Sequence, residues 1–492
     1  MKKVFIKIFT IGALALSTTS CGDKFLETDI YHGVDVDEGL GSPTSVGYAL
    51  NGVYYRLFQY YFAGNYSTII GDIASDLCYW NTSTQHFNQI NTFTYEDSNS
   101  YLYYIWNYGY KVIDNSARII KACDELLPNA TAEEAEDLKI YEAEARCLRA
   151  YASMTLANIF CHQVKVNGQD FSSMPGIVVV DQPIVAYEPV ERATLGQTYA
   201  QVISDLTKAT QLFGEAGDQG DLYYFNEAAA YGLLARANMY MENWSAAASA
   251  ASQAIAISKI TELAYTDEEY EELYSSNDSN WESMFALAIN STNNWSANSL
   301  GTLFTTYGYS YTPYLKGLYG TDDCRLSIMY FEPNGAEPWS PQSVFSGGKF
   351  YFGGGNTAYA TCYLVNAPEM FLIEAEAYAN LNQPSQAAEA LLVVAKRNPA
   401  ITSTADLPSD KDGILSFLKE ERARELFQEG FRLWDLRRWD ATANFYAWNG
   451  PSVDFRIKNA KASNIVLPIP VDEINAGYGV TQNDNWSSTR PQ

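Results

Sequence analysis

The sequence predicts a mainly α-helical fold: a superhelix of tetratricopeptide-like helical hairpins interrupted by one irregular excursion of loops and short strands. Three observations carry that expectation. From Thr131 onward apolar residues recur three and four apart, as one buried helix face requires: Leu138, Tyr141, Ala145, Leu148, Ala152 and Ile159, then Tyr199, Val202, Leu206, Ala209 and Phe213. A spacing of twelve then seven residues occurs twice, at Ala235, Ala247 and Ala254 and at Ala375, Ala387 and Val394, with polar breaks at Glu242-Asn243 and Asn382–Pro384. This is the spacing of tetratricopeptide-type hairpins, whose small residues let two helices approach closely. Between about Ser275 and Tyr363 periodicity fails, and Gly, Asn, Ser and aromatics dominate.

Taken in chain order, residues 1–20 read as a lipoprotein signal peptide. Lys2, Lys3 and Lys7 surround an apolar run too short to span a bilayer, and Cys21 follows small residues where a bacterial lipoprotein is cut and acylated. Residues 21–44 then form a lipidated tether, with Gly33, Gly39 and Gly41 among acidic side chains. Residues 45–274 form an N-terminal helical part. Within it Thr131 and Glu134 make a capping box, and Glu227 to Met241 is apolar on more than one face, so that helix needs neighbours on both sides. Residues 275–365 are the excursion, and a stretch this long without regular structure inside a helical scaffold points to binding. Residues 366–492 form a C-terminal helical part.

Composition narrows the chemistry. The 492 residues carry 32 basic and 58 acidic side chains, a net charge of -26, which excludes nucleic acid as a partner. Charged residues make up only 18%, so amides, hydroxyls and phenols cover much of the surface, as suits a neutral polar ligand. The three histidines, His32, His86 and His162, lie outside metal-ligand spacing of one another, and no metalloprotease, nucleophile-elbow or phosphate-loop motif occurs. No metal or cofactor is therefore expected and no catalytic residue is singled out, although with 58 acidic side chains a pair of carboxylates of the kind that hydrolyses glycosides stays open. Cys161 precedes His162, but sequence neighbours diverge on a helix and make no thiol–imidazole pair. Apart from Cys21 the cysteines are sparse and read as buried small hydrophobes.

The densest pattern is Glu421-Arg422-Ala423-Arg424-Glu425-Leu426-Phe427-Gln428-Glu429-Gly430, followed by Phe431-Arg432-Leu433-Trp434-Asp435-Leu436-Arg437-Arg438-Trp439. It reads as helix, glycine stop, helix. Glu420 and Arg424 pair four apart, Gly430 supplies a left-handed cap, and the charges form either a solvated face or an ion-pair network joining two helices. The block closely resembles the signature of the SusD/RagB family of surface lipoproteins. Leu467-Pro468-Ile469-Pro470 with Glu473-Ile474, Gln482-Asn483 with Trp486, Cys21 with Phe25-Leu26-Glu27, and Arg146, Arg149, Ala150 and Tyr151 are similar to further elements of that family. After Phe160 the segment Cys161 to Pro175 departs from its usual short turn.

The resemblance implies a lipid-anchored protein on the outer face of the outer membrane of a Bacteroidetes-type bacterium. It implies a TonB-dependent barrel transporter of the SusC type as partner and an oligosaccharide as ligand, with a peptide-binding lid of the RagB kind as one alternative. A secreted helical glycosidase is the other alternative. A sugar site needs exposed rings for C–H faces beside amides or carboxylates for hydroxyls. The candidates are Trp80 beside Asn81, Trp295 beside Asn293-Asn294, Trp339, and Tyr307, Tyr309 and Tyr311, whose rings in an extended strand would form a ladder about 6.7 Å apart. Trp106, Trp244, Trp434 and Trp439 fall in helical patterns and are expected in the core.

Overall fold

The capping box at Thr131 forms: the Thr131 hydroxyl accepts from the Glu134 amide, and the Glu134 carboxylate accepts from the Thr131 amide at 2.8 Å. It opens a 29-residue helix, the longest of sixteen α-helices among the residues that this computed structural model describes, 39–82, 84–332, 344–450 and 452–491. The principal helices are α1 (Pro43–Phe58), α2 (Tyr66–Ile73), α3 (Ser100–Leu126), α4 (Ala132–Phe160), α5 (Leu195–Ala216), α6 (Glu227–Tyr240), α7 (Trp244–Ser258), α8 (Ala367–Asn380), α9 (Pro384–Ala395), α10 (Lys411–Glu425) and α11 (Arg432–Arg438). Short antiparallel strands join in pairs, among them β1 (Cys78–Trp80) with β3 (Tyr309–Tyr311), β2 (Ser283–Ala286) with β4 (Tyr363–Asn366), and β5 (Thr442–Trp448) with β6 (Val453–Lys461). The expected signal peptide, Cys21, most of the expected tether and Trp339 lie outside the described residues.

The helices pack in an unbroken series. α1 lies on α3 and α4, α4 on α5, α5 on α6, α6 on α7, α7 on α8, and α8 on α9 and α10. The two alanine-rich hairpins are separated in sequence yet stacked in space, because α7 packs directly against α8. Their turns are copies. In α6–α7 the Asn243 amide donates to Asn238 and Glu242 is left-handed at φ +53°; in α8–α9 the Gln383 amide donates to Tyr378 and Asn382 is left-handed at φ +59°. Ala235, Ala247, Ala254, Ala375, Ala387 and Val394 are all fully buried, so the repeated spacing marks the close helix contact.

The excursion is tied at its base, since β2 near its entry pairs with β4 at its exit, and Glu282 before β2 accepts from the amide of Ala367, the first residue of α8. Its middle reaches back to the front of the chain through β1–β3. The described cysteines are unpaired and buried. Trp106 and Trp434 are core as expected, whereas Trp244 and Trp439 are only partly buried and line a surface groove; Trp439 keeps its indole N–H on Glu376 at 2.8 Å.

Candidate functional site

The charged block near the C-terminus is an internal ion-pair lattice. Arg325, from the excursion, donates to Asp323, Glu421 and Glu425 at 2.7–3.0 Å; Arg397, after α9, donates to Glu425 and Glu282 at 2.5–3.0 Å; Arg424 donates to Glu421. Arg422 and Arg438 share Asp435, and Arg438 also forks onto Glu376. Arg432 forks onto Asp76 between α2 and β1. The expected Glu420–Arg424 pair exists at 3.7 Å, but the nearer partner of Arg424 is Glu421. Burial alone would raise the Glu421 carboxyl; Arg325 and Arg424 instead bring it down to about 2. These carboxylates are fixed by guanidinium groups, which suits a joint rather than proton transfer.

The rest of the signature is structural in the same way. Gly430 adopts φ +80°, and a Cβ there would fall 1.8 Å from the Thr68 carbonyl oxygen, so only glycine lets the turn after α10 seat on α2. Arg437, facing no carboxylate, donates to the Asn158 and Cys161 carbonyls at the end of α4, and Asn483 donates to the Phe160 carbonyl there. Gln482 exchanges both hydrogen bonds with the Ile469 backbone. Cys161 accepts from Arg192, and the His162 ring lies against the Gln163 carbonyl, so the two neighbours form no nucleophile–base pair. Among the described residues no cluster of histidine, cysteine or carboxylate is placed to hold a metal ion.

The exposed chemistry lies where the excursion meets the β1 loop. Trp80 ends β1, opposite Tyr309, and is half-buried; its indole Nε1 has no hydrogen-bond partner among the described residues. The Asn81 amide donates to the Gly308 carbonyl, and the Asn81 carboxamide fills the space above Gly308, whose φ is +76°. Beside them the half-buried rings of His86 and Tyr307 stack at 4.0 Å and 14°. Thr84 donates to the Tyr307 carbonyl and Tyr309 to that of His86, knitting the two loops. Burial lowers the His86 pKa below its usual 6.5, which keeps the imidazole uncharged at neutral pH. The result is a neutral aromatic step rimmed by amide and hydroxyl groups.

The other predicted rings are placed differently. Tyr309 and Tyr311 are 0% and 2% exposed, Tyr309 bonding inward to the His86 backbone and Tyr311 packing on Phe331 and Phe345, so the three-ring ladder does not form and only Tyr307 faces outward. Trp295 is 9% exposed: its ring lies 4.4 Å from that of Phe58 and against Gly64, where a Cβ would stand 2.5 Å from the indole. The structure thus brings Trp80 and Tyr307 together and leaves Trp295 in the core. His86 was missed. So was a cluster of half-buried tyrosines nearby, packed on the core ring of Phe87: Phe87 stacks on Tyr101, Tyr101 meets Tyr66, Tyr66 meets Tyr61, and Tyr61 meets Tyr104 and Tyr108 at 4.3 and 5.0 Å. Tyr101, Tyr104 and Tyr108 stand three and four apart on α3, a spacing that was available in the sequence as a helical stripe.

Two family models match the sequence. One, described as starch-binding associating with outer membrane, matches residues 24–240, and the other, described as SusD family, matches residues 360–486. Among solved structures the fold is similar to a Bacteroides vulgatus protein (TM-score 0.79, 23% identity, 90% of this chain and 99% of the other). It is also similar to a SusD superfamily protein from Bacteroides thetaiotaomicron (0.77, 20%, 90% and 99%) and to a SusD-like carbohydrate binding protein from Bacteroides vulgatus (0.69, 21%, 84% and 89%). A search of curated proteins finds no match. No described helix is long and apolar enough to cross a membrane.

Proposed function

Because the chain belongs to the SusD/RagB family, we propose that it is a non-catalytic glycan-binding lipoprotein which captures an oligosaccharide and passes it to a SusC-like TonB-dependent outer-membrane transporter. Acylation at Cys21 would hold it on the outer face of the outer membrane, in keeping with the outer-membrane association in the description of the matching family. The observation that carries the sugar reading is the uncharged His86–Tyr307 stack beside Trp80 and Asn81. Rings of this kind cover the C–H face of a pyranose, while the flanking amide and hydroxyl groups take its hydroxyls. None of Trp80, Asn81, Thr84, His86 and Tyr307 offers a charge for a charged ligand.

Capture is expected to be weak, roughly micromolar to millimolar, because a carrier that hands over its cargo must also release it. Calorimetry of the mature protein against neutral hexasaccharides of the α-glucan, β-glucan and mannan classes tests the reading. At least one is expected to bind, and Trp80→Ala with Tyr307→Ala is expected to weaken it tenfold or more. Absence of binding across such a panel, with binding to oligopeptides instead, would overturn the glycan reading in favour of a peptide carrier. Release of new reducing ends from a bound glycan would overturn the non-catalytic one.

A further inference from the structure

A second cleft opens between α1, the connection from α5 to α6, and the chain that leaves β2. It has a volume of about 360 Å³, at the small end of the usual range of small-molecule sites. Its floor is aromatic and rigid. Phe225 stacks on Phe285 at 3.8 Å, Tyr54 meets Tyr224 edge-on at 5.1 Å, and the Tyr54 hydroxyl is pinned by donating to Glu144 at 2.7 Å and accepting from the Phe225 amide at 2.9 Å. Tyr55 stands at the mouth, 58% exposed. The walls are amides and one acid: Asn51, Asn293 and Asp221. Asn51 accepts from the Tyr224 hydroxyl, and its Nδ2 donates to no protein group among the described residues.

We propose that this cleft is a second carbohydrate-binding site, separate from the Trp80–Tyr307 step, that takes one or two residues of a neutral sugar. The chemistry selects the ligand class. The lining contains no lysine or arginine and one carboxylate, so phosphate, sulfate and uronate groups are repelled, whereas hydroxyls meet acceptors at Asp221 and donors at Asn51. The Tyr55 ring offers a sugar face the flat partner that the floor, closed by stacked rings, does not. Two modest sites on one polymer would retain it longer than either alone, since the second contact becomes intramolecular.

The proposal rests on the chain being a glycan binder, and the test separates the two ideas. Maltohexaose, cellohexaose and mannohexaose are titrated against the mature wild-type chain, a Tyr55→Ala/Asn51→Ala variant, a Trp80→Ala/Tyr307→Ala variant and the combined variant. The wild type is expected to bind one of the sugars at two sites, each double variant at one site, and the combined variant at neither; tetragalacturonate is expected to stay out of the cleft. If the Tyr55/Asn51 variant keeps the wild-type stoichiometry and affinity, the second site is overturned while the step stands. If that variant alone abolishes binding, the step fails and the cleft stands. If no sugar binds the wild type, both are overturned.

Discussion

The C-terminal arginine block and the aromatic step use polar side chains in opposite ways. In the block, Arg325, Arg397, Arg422 and Arg437 are almost wholly buried and every one is held by protein groups, three by carboxylates and one by carbonyls. In the step, Trp80, His86 and Tyr307 are half-buried, and the rings rather than the polar atoms are fixed. The residues that carry the resemblance to the family therefore build a joint: they clamp the excursion and α2 onto α10 and α11. The step proposed to bind sugar is built of residues with no motif.

The largest effect is expected at the joint. Arg325→Ala would strip buried Asp323 of its arginine and leave Glu421 with Arg424 alone and Glu425 with Arg397 alone, at a cost of about 4 kcal/mol, read as a drop in the urea midpoint. A loss under about 1 kcal/mol would mean that the lattice is solvated and the contrast false. Gly430→Ala comes next, at roughly 3 kcal/mol, since it combines a left-handed backbone with the overlap on Thr68. At the step the order reverses. Trp80→Ala and Tyr307→Ala are each expected to lower glycan affinity about tenfold, some 1.4 kcal/mol, while stability moves by less than about 1 kcal/mol. A large loss of stability at Tyr307 with unchanged affinity would place that ring with the core.

How much of this was legible follows from the same contrast. Helix contacts obey a period, so the alanines of α6–α9 announced a stacked repeat although its halves lie 375 minus 235, or 140, residues apart. The block was legible as either a solvated face or an ion-pair network, and the choice between them was not, because the partners Asp76, Glu282, Asp323 and Arg397 come from segments whose meeting depends on the whole fold. Loop-borne rings carry no period. Tyr309 and Tyr311 alternate as a strand should, but alternation only says that they share a face, and the excursion folds that face inward. Trp295 looked exposed beside two asparagines and is instead the ring that fills the space over Gly64.

Buried acids carry the contrast to its finest scale, because Glu144 lacks the arginine partners that Glu421 has. Glu144, under the second cleft, has only the Tyr54 hydroxyl and the Gln219 amide as partners; burial raises it from 4.5 to about 8, with those two hydrogen bonds holding it back in part. Glu421, with its arginines, is held near 2. The two therefore act on stability in opposite directions. A native pKa below the unfolded value gives Glu421 a contribution that is lost as pH falls from about 4.5 toward 2. A native pKa above it means that folded Glu144 keeps a proton the unfolded chain has released, so stability declines as pH rises from about 4.5 to 8 and levels off beyond. Glu144→Gln removes that proton linkage while keeping an acceptor for Tyr54. Denaturation at pH 5 and at pH 8.5 is expected to show the variant gaining on the wild type by about 1 kcal/mol or more across the interval. Parallel curves would mean that Glu144 is ionised in the folded protein, and that water rather than the Tyr54 ring covers it.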